Sequence, residues 1–329
     1  VAKCNSFEAM IRHALTVHCN ENELLDKQPV LILDREIYPI LSTAFSNRIA
    51  EVLFEQLHIP ALSFGKSSSL ALHATGRSTG LVLDVGENWT SVVPIVDGNV
   101  IDDAIDEVGS SGCSQTEHLK KRLQYDGRCP TELPMEVARR IKEEMCYVAM
   151  DCEKECIRPS WHLREGVVEG MQSDLSVSGT YIHRLPAELR LEVYRFALTC
   201  CLSKQSYQLP DGKRITLGND AFETAEGLFD PMYHSVNAMG IFEAAFSSVR
   251  ENVLVCGGNS LLPGTVSRIQ KTLQDSQQPK KVVVSAPKNR HHLSWIGGAM
   301  LASQSDFATR CVSAAEYSEH GRAIFSKKC

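Results

Sequence analysis

The sequence predicts an α/β fold, and three observations carry that prediction. Short buried apolar runs alternate with segments whose apolar residues recur at helical spacing. Two of those runs, far apart in the chain, end directly in glycine turns. The 329 residues are 43% hydrophobic and 22% charged, an ordinary globular balance, and the length suits about two domains at ~100–200 residues each.

Phe7, Met10, Ile11 and Leu15 place a helix from Ser6 to His18, followed by a strand from Pro29 to Leu33 that ends at Asp34. Ile49, Val52, Leu53 and Leu57 give Asn47 to Leu57 one apolar face, and Ile59-Pro60 reopens an extended segment through Phe64. A short helix from Ser67 to Ala74 closes at Thr75-Gly76. Leu81 to Asp84 is a buried strand running into Val85-Gly86-Glu87-Asn88. Thr90 to Val96 is its hairpin partner, so the tip is acidic and contains glycine. Helices follow at Gln115 to Leu123 and at Pro134 to Cys156, the latter with Val137, Ile141, Met145 and Val148 on one face. Arg158 to Gly179 reads as a polar loop or insertion, Leu185 to Cys201 as a helix, and Gln208 to Gly212 as a turn between extended pieces. The strand Asn252 to Cys256 is delivered into Gly257-Gly258. A helix from Pro263 to Leu273, a strand from Val282 to Val284 and a helix from Ser294 to Ser303 complete the order.

Charge and cysteine usage narrow the classes of function. With 34 Lys+Arg against 40 Asp+Glu the formal net charge is -6, so the chain lacks the basic footprint of a direct nucleic-acid binder. No run approaches the ~18 apolar residues of a membrane span, and Val1 is not followed by a signal pattern. The 12 cysteines are scattered without a Cys-x-x-Cys pair, which points to a reducing compartment, cytoplasm or nucleus. Cys152 and Cys156 share a helical face near Cys146, but with no histidine at ligand spacing they read as buried thiols.

Gly65-Lys66-Ser67 has the ending of a P-loop, yet Pro60 stands five positions before Gly65 and no glycine-rich loop is delivered there. More informative are the two strand-to-glycine turns, Asp84-Val-Gly86-Glu87-Asn88 and Cys256-Gly257-Gly258-Asn259-Ser260. Glycine lets backbone N–H groups come close to phosphate oxygens, and a carboxylate at a strand end can hold a divalent ion through water. Taken singly, the first turn is an ordinary hairpin.

Several motifs in order resemble actin and the actin-related proteins. They are Thr75-Gly-Arg-Ser-Thr-Gly-Leu-Val-Leu-Asp84 with Val93-Pro-Ile-Val-Asp-Gly98, Ile141 to Asp151, Leu209 to Asn219, Glu226 to Pro231, Gly257 to Gly264, Ser294 to Ser303 and Glu316-Tyr317, with Lys327-Lys328-Cys329 closing the chain. The resemblance covers nearly everything except about Arg158 to Lys204, which expands a short family loop. It implies an actin-like ATPase fold of two related α/β lobes around a nucleotide cleft. The first lobe is expected to be incomplete, because the first phosphate hairpin and its lysine should precede Val1. Residues 1–74 and 293–329 would belong to the first large subdomain. Residues 75–110 and 237–292 would form the second, and 111–236 the small subdomain with its insertion at about 158–204.

The resemblance also implies ATP or ADP with Mg2+ as cofactor. Asp84 would hold the metal through water, with Gly86, Glu87, Asn88, Gly257, Gly258 and Asn259 near the phosphates. Gly112, Arg139, Lys142, Glu143, Leu262 and His291 fall at nucleoside-side positions. The family's water-orienting glutamine and its assisting histidine fall at Ser67 and Ser91, hydroxyls that supply neither the reach nor the basicity of those groups. Hydrolysis is therefore expected to be weak or lost. A groove near His73, Gly76, Ser78, Met300, Leu301 and Gln304 would take amphipathic helices of partner proteins. These features describe an ATP-binding or pseudo-ATP-binding subunit of a cytoskeletal assembly. A nuclear subunit of a chromatin-remodelling or histone-acetyltransferase complex, and an active ATPase of the actin, sugar-kinase and heat-shock-chaperone superfamily, stand as alternatives.

Overall fold

A computed structural model describes residues 9–10, 13, 27–35, 47–129, 132–152, 155, 206–234, 237–247, 252–275 and 282–325. Most of the helix expected from Ser6 to His18, the segment Arg158 to Lys204 and the helix expected from Leu185 to Cys201 lie outside these residues. The chain divides into two compact units. One comprises Val1–Glu107, Glu243–Ser260 and Gln277–Cys329, and the other Val108–Phe242 and Leu261–Ser276.

The first unit holds two sheets. In one, β1 (Val30–Asp34) runs parallel to β2 (Ala61–Lys66), Val30 opposite Leu62, and a short strand Val312–Ser313 pairs antiparallel on the other side of β2. Between β1 and β2 the expected helix is present at 47–51, but it widens into a π-helical turn over Val52–Gln56. The Leu57 N–H reaches back to the Val52 carbonyl at 3.1 Å, one residue further than an α-helix allows. Val52, Leu53 and Phe54 are buried in this turn, where Phe54 stacks on Tyr317 at 4.5 Å.

The other sheet is built on β3 (Gly80–Val85) and β4 (Thr90–Val96). They form the expected antiparallel hairpin, with Asp84 opposite Ser91. On the far side of β3 lies β5 (Asn252–Cys256), parallel, with Asp84 opposite Cys256; Val283–Ser285 extends the sheet beyond it. Leu81, Val82, Leu83 and Val85 are all fully buried, so the strand is covered on both faces and reads as a continuous apolar run rather than an alternating one. Each such side chain contributes about 1.5–3 kcal/mol by leaving water.

Two helices join the sheets' surroundings, α1 (Ser67–His73) and α2 (Leu293–Ala302). They cross so closely that a Cβ on Gly297 would overlap the Leu70 carbonyl oxygen. Glycine is required there for backbone contact, not for its dihedral freedom.

In the second unit, the helices Gly112–Tyr125, Met135–Met145, Asp220–Glu226 and Thr265–Asp275 pack with a small hairpin, Ser206–Gln208 against Arg214–Thr216. Leu119, Leu123, Ile141, Phe222, Ile269 and Leu273 are buried. Ser111 opens the first of these helices with a reciprocal capping box to Ser114, which satisfies two N-terminal donors. The expected helix from Pro134 to Cys156 is shorter than its apolar periodicity predicts, because its main stretch stops at Met145. Cys146 turns extended, and the next two backbone N–H groups are taken by other parts of the chain. Tyr147 donates to the Ala221 carbonyl at 2.9 Å, and Val148 to that of Pro263 at 2.7 Å. Long-range hydrogen bonds outcompete the helix there.

Candidate functional site

The site is built where β3 and β5 end side by side. Their parallel register brings Asp84 opposite Cys256, so the two glycine turns, separated by about 170 positions in the chain, start from neighbouring strand ends. Gly86 makes the tight first turn, its N–H donating to the Trp89 carbonyl at 2.9 Å. A Cβ there would stand 2.8 Å from that same oxygen. Gly257 has φ +87°, and a Cβ on it would overlap the Val85 carbonyl and lie 2.5 Å from Asp84 Oδ1. Both glycines are therefore demanded by space, and the second also by its left-handed backbone.

Glu87 and Asn88 are exposed at the hairpin tip, and Gly258 with Asn259 opens a 3-10 turn through Leu261. Arg290 braces that turn. Its Nε donates to Ser260 Oγ at 2.9 Å, its Nη2 donates to the Ser260 carbonyl at 3.0 Å, and its own carbonyl accepts from Gly257 N–H at 3.2 Å. His291 follows on the exposed side, its ring 3.9 Å from that of His292. Burial pushes the Asp84 carboxyl above its usual range, and the Arg35 guanidinium opposes that rise.

Arg35 is the residue that sequence reasoning missed. It follows the last residue of β1, and its Nη2 lies 3.2 Å from where a Cβ on Gly86 would be. The signal in the chain was a cation one residue beyond an apolar strand run, after Asp34; only the sheet arrangement shows what it faces.

Gly112, Arg139, Lys142, Glu143 and Leu262 stand in the second unit. Gly112 begins the helix after Ser111, and Lys142 is 1% exposed with its Nζ donating to the Gly112 carbonyl at 2.6 Å. Arg139 forks onto Glu136 at 2.8 Å and reaches Glu143 at 3.9 Å. Leu262 is buried, and Gly264 beyond it, at φ +87°, leaves room only for the Val148 carbonyl. Ser67 and Ser91 are both buried in the first unit. Of the expected groove residues, Met300 is 44% exposed, and Trp295 on the same helix is 67% exposed, whereas Leu301 packs on the Ala61, Phe307 and Cys311 cluster. Among the described residues no helix is long and apolar enough to cross a membrane.

The donor set suits a polyphosphate with a hard divalent ion: a strand-end carboxylate is the oxygen ligand such ions take, and two obligate glycines leave backbone where side chains would otherwise stand. The fold and this arrangement define an α/β protein with paired glycine turns at neighbouring strand ends. The Actin family model matches residues 1–329. Centractin of Schizosaccharomyces pombe is 30% identical over 320 residues, 93% of this chain and 74% of that protein. Actin-like protein 9 of Rattus norvegicus is 32% identical over 330 residues, 95% of this chain and 69% of that protein. Putative actin-29 of Dictyostelium discoideum is 27% identical over 299 residues, 86% and 68% respectively. The chain belongs to the actin family, as a divergent actin-like protein.

Proposed function

We propose that this chain is a structural, nucleotide-binding subunit of a cytoskeletal assembly, taking ATP or ADP with Mg2+ and turning it over at background level. The observation that carries the reading is the juxtaposition of Asp84, Gly86 and Gly257 at neighbouring strand ends, where each glycine is sterically obligatory. Asp84 would hold the metal through water, and Gly86, Glu87, Asn88, Gly257, Gly258 and Asn259 would line the phosphates. Gly112, Arg139, Lys142, Glu143, Leu262 and His291 are the nucleoside-side residues of the same reading. Its subdomain division is 1–74 with 293–329, 75–110 with 237–292, and 111–236. Mg2+ would supply the charge that lets an anionic polyphosphate approach a carboxylate. Ser67 and Ser91, buried and short, offer no general base for water.

Binding of a fluorescent ATP analogue, followed by fluorescence titration, tests the first half. Asp84→Ala should weaken magnesium-dependent binding at least about tenfold, the loss of one charge-mediated contact. ATP hydrolysis above background that Asp84→Ala abolishes would overturn the second half. The cytoskeletal assignment leans on centractin and the actin-like proteins as relatives. Exposed Trp295 and Met300 support a partner surface near His73, Met300 and Leu301. Imaging of the tagged chain separates the cytoskeletal role from the nuclear one, since enrichment in the nucleus with chromatin-remodelling subunits would replace the first with the second.

A further inference from the structure

Arg35 has no part in the expected site, yet it stands inside it. Its backbone N–H donates to the Asp34 carboxylate at 2.9 Å, which directs the chain as it leaves β1. The guanidinium then lies against the Gly86 turn, with Nη2 and Nη1 at 3.2 and 3.8 Å from the position of an added Cβ. Any side chain at 86 would crowd it, so the glycine that shapes the turn also admits the arginine. Arg35 is exposed, so its donors are reachable from solvent, and it is the cation whose charge acts on half-buried Asp84.

A polyphosphate entering this turn meets two carboxylates, Asp84 and Glu87, and needs positive charge between itself and them. A divalent ion on Asp84 is one source. A guanidinium is another, because its planar fork matches two phosphate oxygens at once and never loses its proton. We propose that Arg35 is an anion-binding residue of this site, which takes terminal phosphate oxygens directly and supplies the charge a divalent ion would otherwise bring, so that polyphosphate binding persists without metal. This rests on the nucleotide-binding reading for the identity of the ligand, and adds to it the residue and the metal independence.

The test uses the full chain with two probes, tripolyphosphate and a fluorescent ATP analogue, each titrated in excess EDTA and in excess Mg2+. Wild type should still bind both in EDTA, about tenfold more weakly than in Mg2+, whereas Arg35→Ala should lose at least about tenfold more in EDTA and recover most of it with Mg2+. Arg35→Lys keeps the charge without the fork and should fall between the two. Circular dichroism of each variant checks the fold, which an exposed side chain should leave intact. If EDTA abolishes wild-type binding of both probes, or if Arg35→Ala matches wild type in EDTA, the assignment is wrong. If tripolyphosphate binds through Arg35 while the ATP analogue binds under no condition, the nucleotide reading falls and the anion site stands. If the analogue binds with magnesium and neither probe responds to Arg35, the anion site falls and the nucleotide reading stands.

Discussion

Single residues in this chain carry burdens that their type alone does not reveal. Burial pushes the Glu226 carboxyl up to about 7, with Arg268 opposing at 3.2 Å, while burial and the stacked His118 ring hold His234 down at about 4. The two act on stability with opposite sign. Folded Glu226 keeps a proton that the unfolded chain releases, so its contribution falls as pH rises from about 4.5 to 7. Unfolded His234 takes up a proton that the folded state refuses, so its contribution falls as pH drops from 6.5 to about 4. Between those limits the slopes oppose each other. Glu226→Gln should leave the histidine slope exposed, with stability rising by on the order of 2–3 kcal/mol from pH 4 to 6.5 in denaturant titrations. An unchanged pH profile would show that Glu226 is not buried in its neutral form. Cys146, pushed up to about 12 by burial, should resist alkylation at neutral pH until the chain unfolds, while half-buried Cys113 and Cys129 react before it in a mass-spectrometric time course.

At the scale of elements, stability depends on how closely backbones approach. Gly297 meets the Leu70 carbonyl with no room for a methyl group, so Gly297→Ala should force α1 and α2 apart and cost about 1–3 kcal/mol, read as a lowered Tm. Gly298→Ala, where the nearest atoms are side-chain methyls of Leu33 and Leu31 at 3.2 and 3.4 Å, should cost less. Equal effects would mean that the helix crossing is not the constraint. Ser111→Ala removes the cap of the helix Gly112–Tyr125 and should cost about 1 kcal/mol without touching the first unit. Element boundaries were legible in the chain where they depended on local chemistry. The hairpin Gly80–Val96, the turn before Arg214 and the short helix after Lys66 all fall where glycine, proline and apolar runs put them. They were not legible where a distant segment intervened. The helix that ends at Met145 obeys hydrogen bonds to Ala221 and Pro263, and the π-helical turn at Val52–Gln56 sits where Phe54 packs on distant Tyr317, contacts that no short window of sequence contains.

For the whole molecule, a net charge of -6 spread over 329 residues predicts no direct affinity for DNA, so gel-shift titrations at physiological salt should show at most the ~10⁻⁴ M association typical of weak non-specific contact. A salt-dependent shift at micromolar concentration would contradict that. The chain's own order determined the strands that end at Asp84 and Cys256, the glycines that follow them, and with the other motifs membership of the actin family. These rest on local stereochemistry: an apolar run fills a buried strand, and only glycine turns so tightly after it. Tertiary structure alone decided that the two strand ends lie side by side, that Lys142 spends its ammonium on the Gly112 carbonyl, and that Arg35 reaches the Gly86 turn. Each of those depends on which distant residue a polar group meets, and that is set by strand register and packing across tens to hundreds of positions rather than by its neighbours in sequence.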